Sequence, residues 1–286
     1  MKCRALSFLM CIVTISAMAQ NKADIIVSYD FKAPRASGGE RINKMTLLAN
    51  SSESKYFNDI SLWTDSLEST PEGKAKYDEI IRANCLVKDP EGYEYWDLTK
   101  GPVKNIYTYV FNNVADETLT HYDEWGDELM YYTEPLAEIQ WRLVPDSVSP
   151  VIGYECQMAE ADYHGRHWKV WFTTDLPLPF GPWKFRGLPG LVLKAETEGG
   201  FSFTATGLQG TDRIISQIYS SNEYKKTDRR KALADHEYFE NNQEAILKAQ
   251  NGGQAKITYT DSAGNEIAPP VYEAQKHSLE PDYKMK

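Results

Sequence analysis

The sequence predicts a mainly β protein, in which antiparallel hairpins form one curved sheet or a half-barrel and one or two helices lie at its periphery. Short strand-like segments recur with turns about every ten residues, which is typical of a meander and not of alternating strands and helices. Glycine-containing turns join several of these segments. Helical periodicity is confined to residues 70–83 and 221–250, so helices should contribute little to the fold.

The first twenty residues have the composition of a secretory signal peptide. Two basic residues precede an almost wholly apolar run over residues 5–17, and Ala17-Met18-Ala19 has the small-x-small pattern of a cleavage site. The run is too short for a membrane span, and no later stretch approaches the roughly 18 apolar residues that a span needs. We therefore expect residues 1–20 to be removed and the mature chain to be a soluble protein of the periplasm or the extracellular space.

The mature chain, residues 21–286, is predicted to be a single β-rich domain. It is acidic, since the whole sequence carries a net charge of −10 and the signal peptide contributes only basic charges. An acidic surface argues against nucleic acid or an anionic membrane as the main partner.

The first half of the chain contains most of the predicted strands. Strands are predicted over residues 24–31 and 44–49, where apolar residues recur at strand spacing. A helix is then predicted to begin at Pro71, because proline is favoured in the first helical position and Thr70 precedes it. Further strand-like segments follow at residues 91–98, 105–112, 117–125 and 128–133.

The clearest hairpin joins residues 153–163 to residues 166–174 through His164-Gly165. A two-residue loop with glycine second fits a primed turn. That turn sets the cross-strand pairs, which are Asp162 with His167, Glu160 with Lys169, and Met158 with Trp171. A second hairpin joins residues 191–197 to residues 201–206 through Gly199-Gly200.

Residues 181–196 (GPWKFRGLPGLVLKAE) lie between these two hairpins and are rich in glycine and proline. They fit a tight connection between strands, and they also fit a shaped bend that presents side chains to a ligand. We predict a sheet corner formed by Gly181, Pro182, Gly187, Pro189 and Gly190. The adjoining surface for a ligand or partner would then comprise Trp183, Phe185, Arg186 and Leu188.

The last part of the chain is predicted to be peripheral. Residues 221–250 are polar and rich in helix formers, with an interrupted apolar stripe, which indicates a surface helix broken at Asn241-Asn242. Residues 265–286 are predicted to form an extended tail.

Two cysteines, Cys85 and Cys156, remain after removal of the signal peptide. Two thiols in an exported protein favour one disulfide, whereas a metal site would need more ligands than these two residues supply. We therefore predict a Cys85–Cys156 disulfide.

Short catalytic signatures are absent: the sequence contains no nucleophile elbow, phosphate-binding loop, zinc-protease helix or dinucleotide fingerprint. His164 and His167 are weak candidates for a metal pair, with Met158 or nearby carboxylates, because positions three apart on a strand point to opposite faces. A hairpin tip carrying an Asp162–His167 pair is the alternative. No cofactor other than such a metal is expected.

Acidic residues flank Trp125-Gly126, where residues 123–128 read DEWGDE. Paired carboxylates beside a tryptophan are compatible with sugar hydrolysis, and a charged surface turn is the alternative. Aromatic residues form 12% of the chain, including 18 tyrosines and seven tryptophans. They fit an ordinary β core and equally the lining of a ligand cleft.

The central residues resemble the GLPGLI family of exported Gram-negative proteins. The resemblance is carried in order by residues 154–159 (YECQMA), Gly165-Arg166, residues 171–177 (WFTTDLP), Gly181-Pro182 and residues 187–192 (GLPGLV), where Val192 replaces the usual isoleucine. It implies an exported β protein but no reaction. The strand-rich layout also resembles, more distantly, the open half-barrels of periplasmic lipoprotein carriers.

Three functions follow as hypotheses. The first is a non-catalytic envelope protein that binds an apolar small molecule, a peptide or an outer-membrane protein on an aromatic-rich sheet. The second is a periplasmic metal-handling protein that uses His164 and His167. The third is a hydrolase of envelope or dietary polysaccharide that uses the acids near Trp125.

Overall fold

One large sheet dominates the computed structural model, which describes residues 21–126, 128–250, 252–253, 257–260 and 265–284. The predicted signal peptide, residues 1–20, lies outside the described residues. The strands of the described part are β1 (Ile25–Pro34), β2 (Glu40–Ala49), β3 (Glu53–Phe57), β4 (Leu86–Lys88), β5 (Glu94–Trp96), β6 (Tyr109–Asn113), β7 (Thr118–Trp125), β8 (Glu128–Pro135), β9 (Arg142–Val151), β10 (Tyr154–Tyr163), β11 (Arg166–Thr173), β12 (Leu191–Glu196), β13 (Ser202–Gly210), β14 (Lys225–Lys226), β15 (Tyr259–Thr260) and β16 (Glu266–Ile267). The α-helices are α1 (Asp59–Glu68), α2 (Pro71–Cys85), α3 (Arg229–Gln250) and α4 (Ala274–His277), and two 3₁₀ helices span Leu98–Lys100 and Pro281–Lys284.

The main sheet contains twelve of the described strands, in the order β14-β8-β7-β6-β3-β2-β1-β13-β12-β11-β10-β9. Its neighbouring strands are antiparallel, except that the short β14 runs parallel to β8. Two further pairs, β4–β5 and β15–β16, form separate two-stranded sheets. The prediction of a mainly β, antiparallel fold is therefore confirmed.

The central hairpin, β10–β11, has the predicted register. Asp162 lies opposite His167, and the other predicted pairs follow along the two strands. His164 and Gly165 form the loop with φ values of 52° and 79°. Two positive φ values are the signature of a type I′ turn, whose twist matches that of the flanking strands.

The helices begin and break where local sequence signals indicate. The side chain of Thr70 accepts a hydrogen bond from the backbone N–H of Gly73 at 3.1 Å, which caps α2 at its predicted start. The predicted surface helix begins later than expected, at Arg229, and is interrupted at Asn242, where φ is −129°. None of the helices in the described ranges is both long and apolar enough to span a membrane.

Buried side chains lie on both faces of the main sheet. On one face, a large aromatic core surrounds Trp168, Phe185 and Phe203. On the other face, Phe57 and Tyr109 stack with ring centroids 6.3 Å apart in a smaller cluster. Alternation along β3 and β6 produces this division, because successive side chains of a strand point to opposite faces.

The predicted sheet corner falls within residues 174–190, which connect β11 to β12. Strand β11 pairs directly with β12, so the two hairpins lie side by side in one sheet. Between them the chain leaves the sheet after β11, packs on the large core and returns at β12. The residues assigned to the corner all lie in this connection: Gly181, Pro182, Gly187, Pro189 and Gly190.

The predicted tail, residues 265–286, is not extended throughout. It contains β16, α4 and the second 3₁₀ helix, and residues 285–286 lie outside the described part. Tyr272, Glu280 and Tyr283 are buried. Arg166 of the central hairpin donates a hydrogen bond from Nε to the carbonyl oxygen of Ser278 at 2.9 Å, which ties this segment to the sheet.

The predicted disulfide is not formed. Cys85 and Cys156 are both free thiols in the structure, and both are buried. Cys85 ends α2 and lies against Gly101, whereas Cys156 lies in β10 within the large core. Cys156 thus belongs to the large core, and Cys85 does not. Burial raises the pKa of Cys156 to about 11.

Candidate ligand-binding cleft

A cleft of about 700 Å³ opens between the main sheet, α3 and residues 265–284, here called the C-terminal segment. Helix α3 contacts β7 and β8, and α4 contacts β1, which lies on the other side of β6, β3 and β2 in the sheet. Side chains of the sheet form the floor of the cleft, among them Phe31, Met45, Tyr56, His121, Asp123, Tyr132 and Phe203. The opposite wall is formed by α3 and the C-terminal segment, with Leu233, His236, Phe239, Leu247, Tyr272 and Leu279.

The walls of the cleft are mainly aromatic and aliphatic. Phe31 stacks on Phe203 with ring centroids 4.6 Å apart. Trp125 of the sheet stacks on His236 of α3 at 3.6 Å, which joins the floor to the helix. Apolar walls with a small number of polar groups are typical of small-molecule sites.

A row of cross-strand partners places three polar side chains on the floor. Tyr56 pairs with Val110, Val110 with His121, and His121 with Tyr132, across β3, β6, β7 and β8. Directly paired residues point to the same face of a sheet. The ring of His121 also stacks on that of Tyr132, with centroids 4.8 Å apart.

His121 is oriented by Asp123, two residues further along the same strand. Its Nε2 lies 3.1 Å from the Asp123 carboxylate. A carboxylate only accepts hydrogen bonds, so the proton of a neutral His121 lies on Nε2 and its Nδ1 becomes an acceptor. Among the described residues, neither His121 Nδ1 nor the hydroxyl of Tyr56 has a hydrogen-bond partner, although both atoms are buried. Burial raises the pKa of Tyr56 well above its usual range.

Beside this row, a buried ion cluster joins the C-terminal segment to the rest of the protein. The ammonium group of Lys184 lies 2.7 Å from Glu280 and 2.9 Å from Glu134, and it donates to the hydroxyl of Tyr132 at 3.1 Å. Arg229 of α3 donates from Nε to Glu280 at 2.5 Å. Burial alone would raise the pKa of Glu280, but the adjacent cations, with Lys184 first, lower it far below its usual range.

The two histidines of the predicted metal pair have different carboxylate partners. His167 is half exposed and lies 2.8 Å from Asp162, as the alternative interpretation of the hairpin tip predicts. His164 points instead toward Glu134 and Glu280, and these three residues could together offer metal ligands. Lys184 and Arg229 already neutralise those carboxylates, so a metal ion would meet two protein cations there.

The four side chains predicted to form an exposed surface are buried. Phe185 and Leu188 belong to the large core, and Trp183 joins that core while also lining the cleft. Arg186 is likewise inside, where it donates to the carbonyl oxygen of Ala137 at 2.7 Å. Of these four residues, Trp183 lines the cleft, and Phe185 and Leu188 pack in the core next to it.

The acids near Trp125 are partly in the cleft and already engaged. Asp123 bonds His121, and Glu124 accepts a hydrogen bond from Lys104 at 2.7 Å. Glu128 lies 3.5 Å from Lys225, and Asp127 lies outside the described residues. Asp123, Glu124 and Trp125 are the members of this group that line the cleft.

Several residues of the cleft do not stand out in the sequence. Alternation in residues 118–125 places His121 and Asp123 on one strand face, and this pattern is visible before the structure is known. The approach of Glu280 to Lys184 has no such signal, because almost a hundred residues separate them in the chain.

Comparison with known proteins shows a similarity of fold to solved structures. No protein-family model matches the chain, and no curated protein matches it. Among solved structures, the chain is similar to PNGF-II in two space groups, with TM-scores of 0.50 and 0.49 and identities of 16% and 15%. The matched region covers 74% of this chain and 32% of PNGF-II in both structures, so the likeness concerns about a third of that protein.

Proposed function

We propose that the mature chain is an exported, non-catalytic envelope protein that binds an apolar ligand in the cleft. The observation that carries this proposal is the cleft itself, whose volume of about 700 Å³ falls among those of small-molecule sites, about 300–1,000 Å³. Its aromatic walls would gain free energy by removing apolar ligand surface from water.

The proposal includes a curved sheet that forms an open half-barrel around the ligand. The strand order supports it, because β8, β7, β6, β3, β2, β1 and β13 are consecutive neighbours and residues from most of them line the cleft. The signal-peptide pattern and the resemblance of residues 154–192 to the GLPGLI family support export. A peptide or an outer-membrane protein is the alternative occupant.

The other two hypotheses have weaker support. Metal handling would have to use His164 with Glu134 and Glu280, where Lys184 and Arg229 compete with a metal ion for the carboxylates. Hydrolysis would have to use Asp123 or Glu124, which already bond His121 and Lys104. Turnover of a polysaccharide, or metal-dependent stabilisation of the protein, would favour these hypotheses over the binding function.

Titration with the apolar fluorophore N-phenylnaphthylamine tests the proposal. We expect saturable enhancement of its emission by the mature protein, because the fluorophore enters the cleft. Leu233→Trp should weaken this binding at least tenfold, since the larger side chain fills space that the ligand needs. Ala234→Trp is the matched control, because Ala234 is exposed on the same helix, and it should bind like the parent.

Two results would contradict the proposal. One is a parent protein that does not enhance the emission. The other is equal binding by Leu233→Trp and Ala234→Trp, which would place the fluorophore outside the cleft.

A further inference from the structure

We propose that the ligand of this cleft is an uncharged apolar molecule with a hydroxyl group, and that His121 receives this hydroxyl. The inference rests on the proposed function and specifies the chemistry of the ligand. It is carried by the polar atoms of the cleft floor and by the charges around them.

His121 offers the ligand an acceptor with a fixed orientation. Asp123 holds the imidazole from its Nε2 side, which leaves Nδ1 free to accept. The carboxylate of Asp123 is itself fixed, because it accepts from the backbone N–H of Glu124 at 3.0 Å and from the hydroxyl of Thr108 at 3.3 Å. This support is typical of a side chain that must keep one rotamer.

Tyr56 supplies a complementary donor on the same floor. It lies two strands from His121 in the same cross-strand row, which corresponds to roughly 10 Å between their Cα atoms. Its hydroxyl and His121 Nδ1 are both buried without a hydrogen-bond partner among the described residues, and both residues line the cleft, so a ligand hydroxyl can supply the missing partner. A buried polar atom without a partner is unfavourable, so a ligand that supplies one is selected.

Charges around the cleft select against a carboxylate ligand. Asp123, Glu124, Glu240 and Glu280 all line it, whereas Arg41 is the cationic side chain, other than histidines, among its described lining residues. Although burial favours the protonated form of Glu240, His236 and Arg41 outweigh it and lower the pKa of that carboxyl, which stays ionised. A ligand carboxylate placed beside His121 would meet the charge of Asp123, which has no lysine or arginine partner among the described residues, and as an acceptor it could not bond His121 Nδ1.

Both amines and alcohols avoid that repulsion, but most of the carboxylates that could neutralise an ammonium group here already have cationic partners. Lys184 and Arg229 already form ion pairs with Glu280, and Lys104 forms one with Glu124. A hydroxyl needs only one acceptor and one donor, which His121 and Tyr56 provide. The floor of the cleft thus matches an alcohol.

Three fluorescent ligands of nearly equal shape test this inference: pyrenebutanol, butylpyrene and pyrenebutanoate. Hydrophobic transfer alone would rank butylpyrene first, because it has no polar group to desolvate. We expect the parent protein to bind pyrenebutanol about fivefold to tenfold more tightly than butylpyrene, the ratio that one net hydrogen bond gives. Pyrenebutanoate should bind most weakly.

Variants then locate the contact. His121→Phe should remove the preference for the alcohol over butylpyrene, and Tyr56→Phe should reduce the same preference. His167→Phe is the control, since His167 is exposed at the hairpin tip, lies 2.8 Å from Asp162 and does not line the cleft, and it should retain the preference.

The outcomes separate the two proposals. If the parent binds all three ligands equally, or binds the carboxylate best, the hydroxyl inference fails and the binding function stands. If the preference survives in both His121→Phe and Tyr56→Phe, the assignment to His121 fails. If the parent binds none of the pyrenes and no N-phenylnaphthylamine, the proposed function fails, and the inference fails with it. The ligand series on the parent decides the issue even if His121→Phe does not fold.

Discussion

At Gly190, a Cβ atom would lie 2.0 Å from the carbonyl oxygen of Thr173, closer than any real Cβ contact. The first residues of the connection and its last residue meet at this point, immediately before β12 returns to the sheet. Gly187 has a different constraint, because its φ is +85° and the space around it is open. One glycine is thus required by contact and the other by backbone conformation.

These two constraints predict different stability losses. Gly187→Ala should lower the free energy of unfolding by about 1 kcal/mol, the cost of a left-handed conformation for alanine. Gly190→Ala should lower it by about 3 kcal/mol or more, because backbone atoms must move apart. Gly207→Ala is the control, since that site has no atom within 4 Å and no positive φ. Urea denaturation measures all three, and equal midpoints for Gly187→Ala and Gly190→Ala would contradict the argument.

Trp183 shows how far sequence reasoning reaches at this scale. The sequence identifies it as an aromatic residue in a tight glycine- and proline-rich segment, but whether such a residue faces solvent depends on where the connection folds. In the structure it has a φ of 54° and is almost wholly buried beside Trp168 and Phe185. Cys85 and Cys156 illustrate the same limit, because composition and compartment predict a disulfide only if folding brings the two thiols together.

Among the elements, the C-terminal segment gains order from charged contacts with parts of the chain far away in sequence. Glu280 bonds Lys184 of the β11–β12 connection and Arg229 of α3, and Asp282 bonds Arg229 as well. These contacts hold the segment over the cleft. Burial would raise the pKa of Asp282, but His164 and Arg229 outweigh it and lower the pKa from 3.8 to about 2.

These contacts predict acid sensitivity. The pKa values of Glu280 and Asp282 are lower in the folded protein than in the unfolded chain, so the unfolded chain takes up protons first as pH falls. The stabilisation is present in full at neutral pH and is lost progressively from about pH 4.5 toward pH 2. Glu280→Gln should therefore lower the stability at pH 7 by about 3 kcal/mol and flatten the acid dependence.

Urea denaturation across this pH range measures the effect. Glu273→Gln is the control, because Glu273 is an exposed residue that precedes α4 and pairs with Lys276 on the surface. It should unfold like the parent at pH 7. A Glu280→Gln variant with the parent's midpoint at every pH would show that the buried ion cluster does not hold the segment.

Local elements were predictable where local rules determine them. The register of β10–β11 follows from the two-residue turn at His164-Gly165, and the start of α2 follows from Thr70 and Pro71. The sequence predicts an extended C-terminal segment and misses its order. That order comes from ion pairs with Lys184 and Arg229 and not from the segment's own propensity. Long-range ion pairs have no periodic signal in a sequence.

For the whole molecule, the antiparallel pattern predicted the class of fold but not the enclosed cleft. The strand order brings β3 beside β6 across the two helices α1 and α2, which places Tyr56 in the same row as His121. Helix α3 and the C-terminal segment then cover that row. The cleft therefore depends on pairings between segments that are distant in the sequence. The one feature of the sequence that is compatible with a cleft is its high aromatic content.

The central claim, that the cleft binds an apolar ligand, is tested most directly by a crystal structure of the mature protein grown with a brominated long-chain alcohol. Anomalous scattering locates the bromine atom independently of the protein atoms. We predict bromine density between α3 and the sheet, among Phe31, Phe203 and Phe239, with the alcohol oxygen toward His121. Bromine bound only on the outer surface, beside an empty cleft, would contradict the claim.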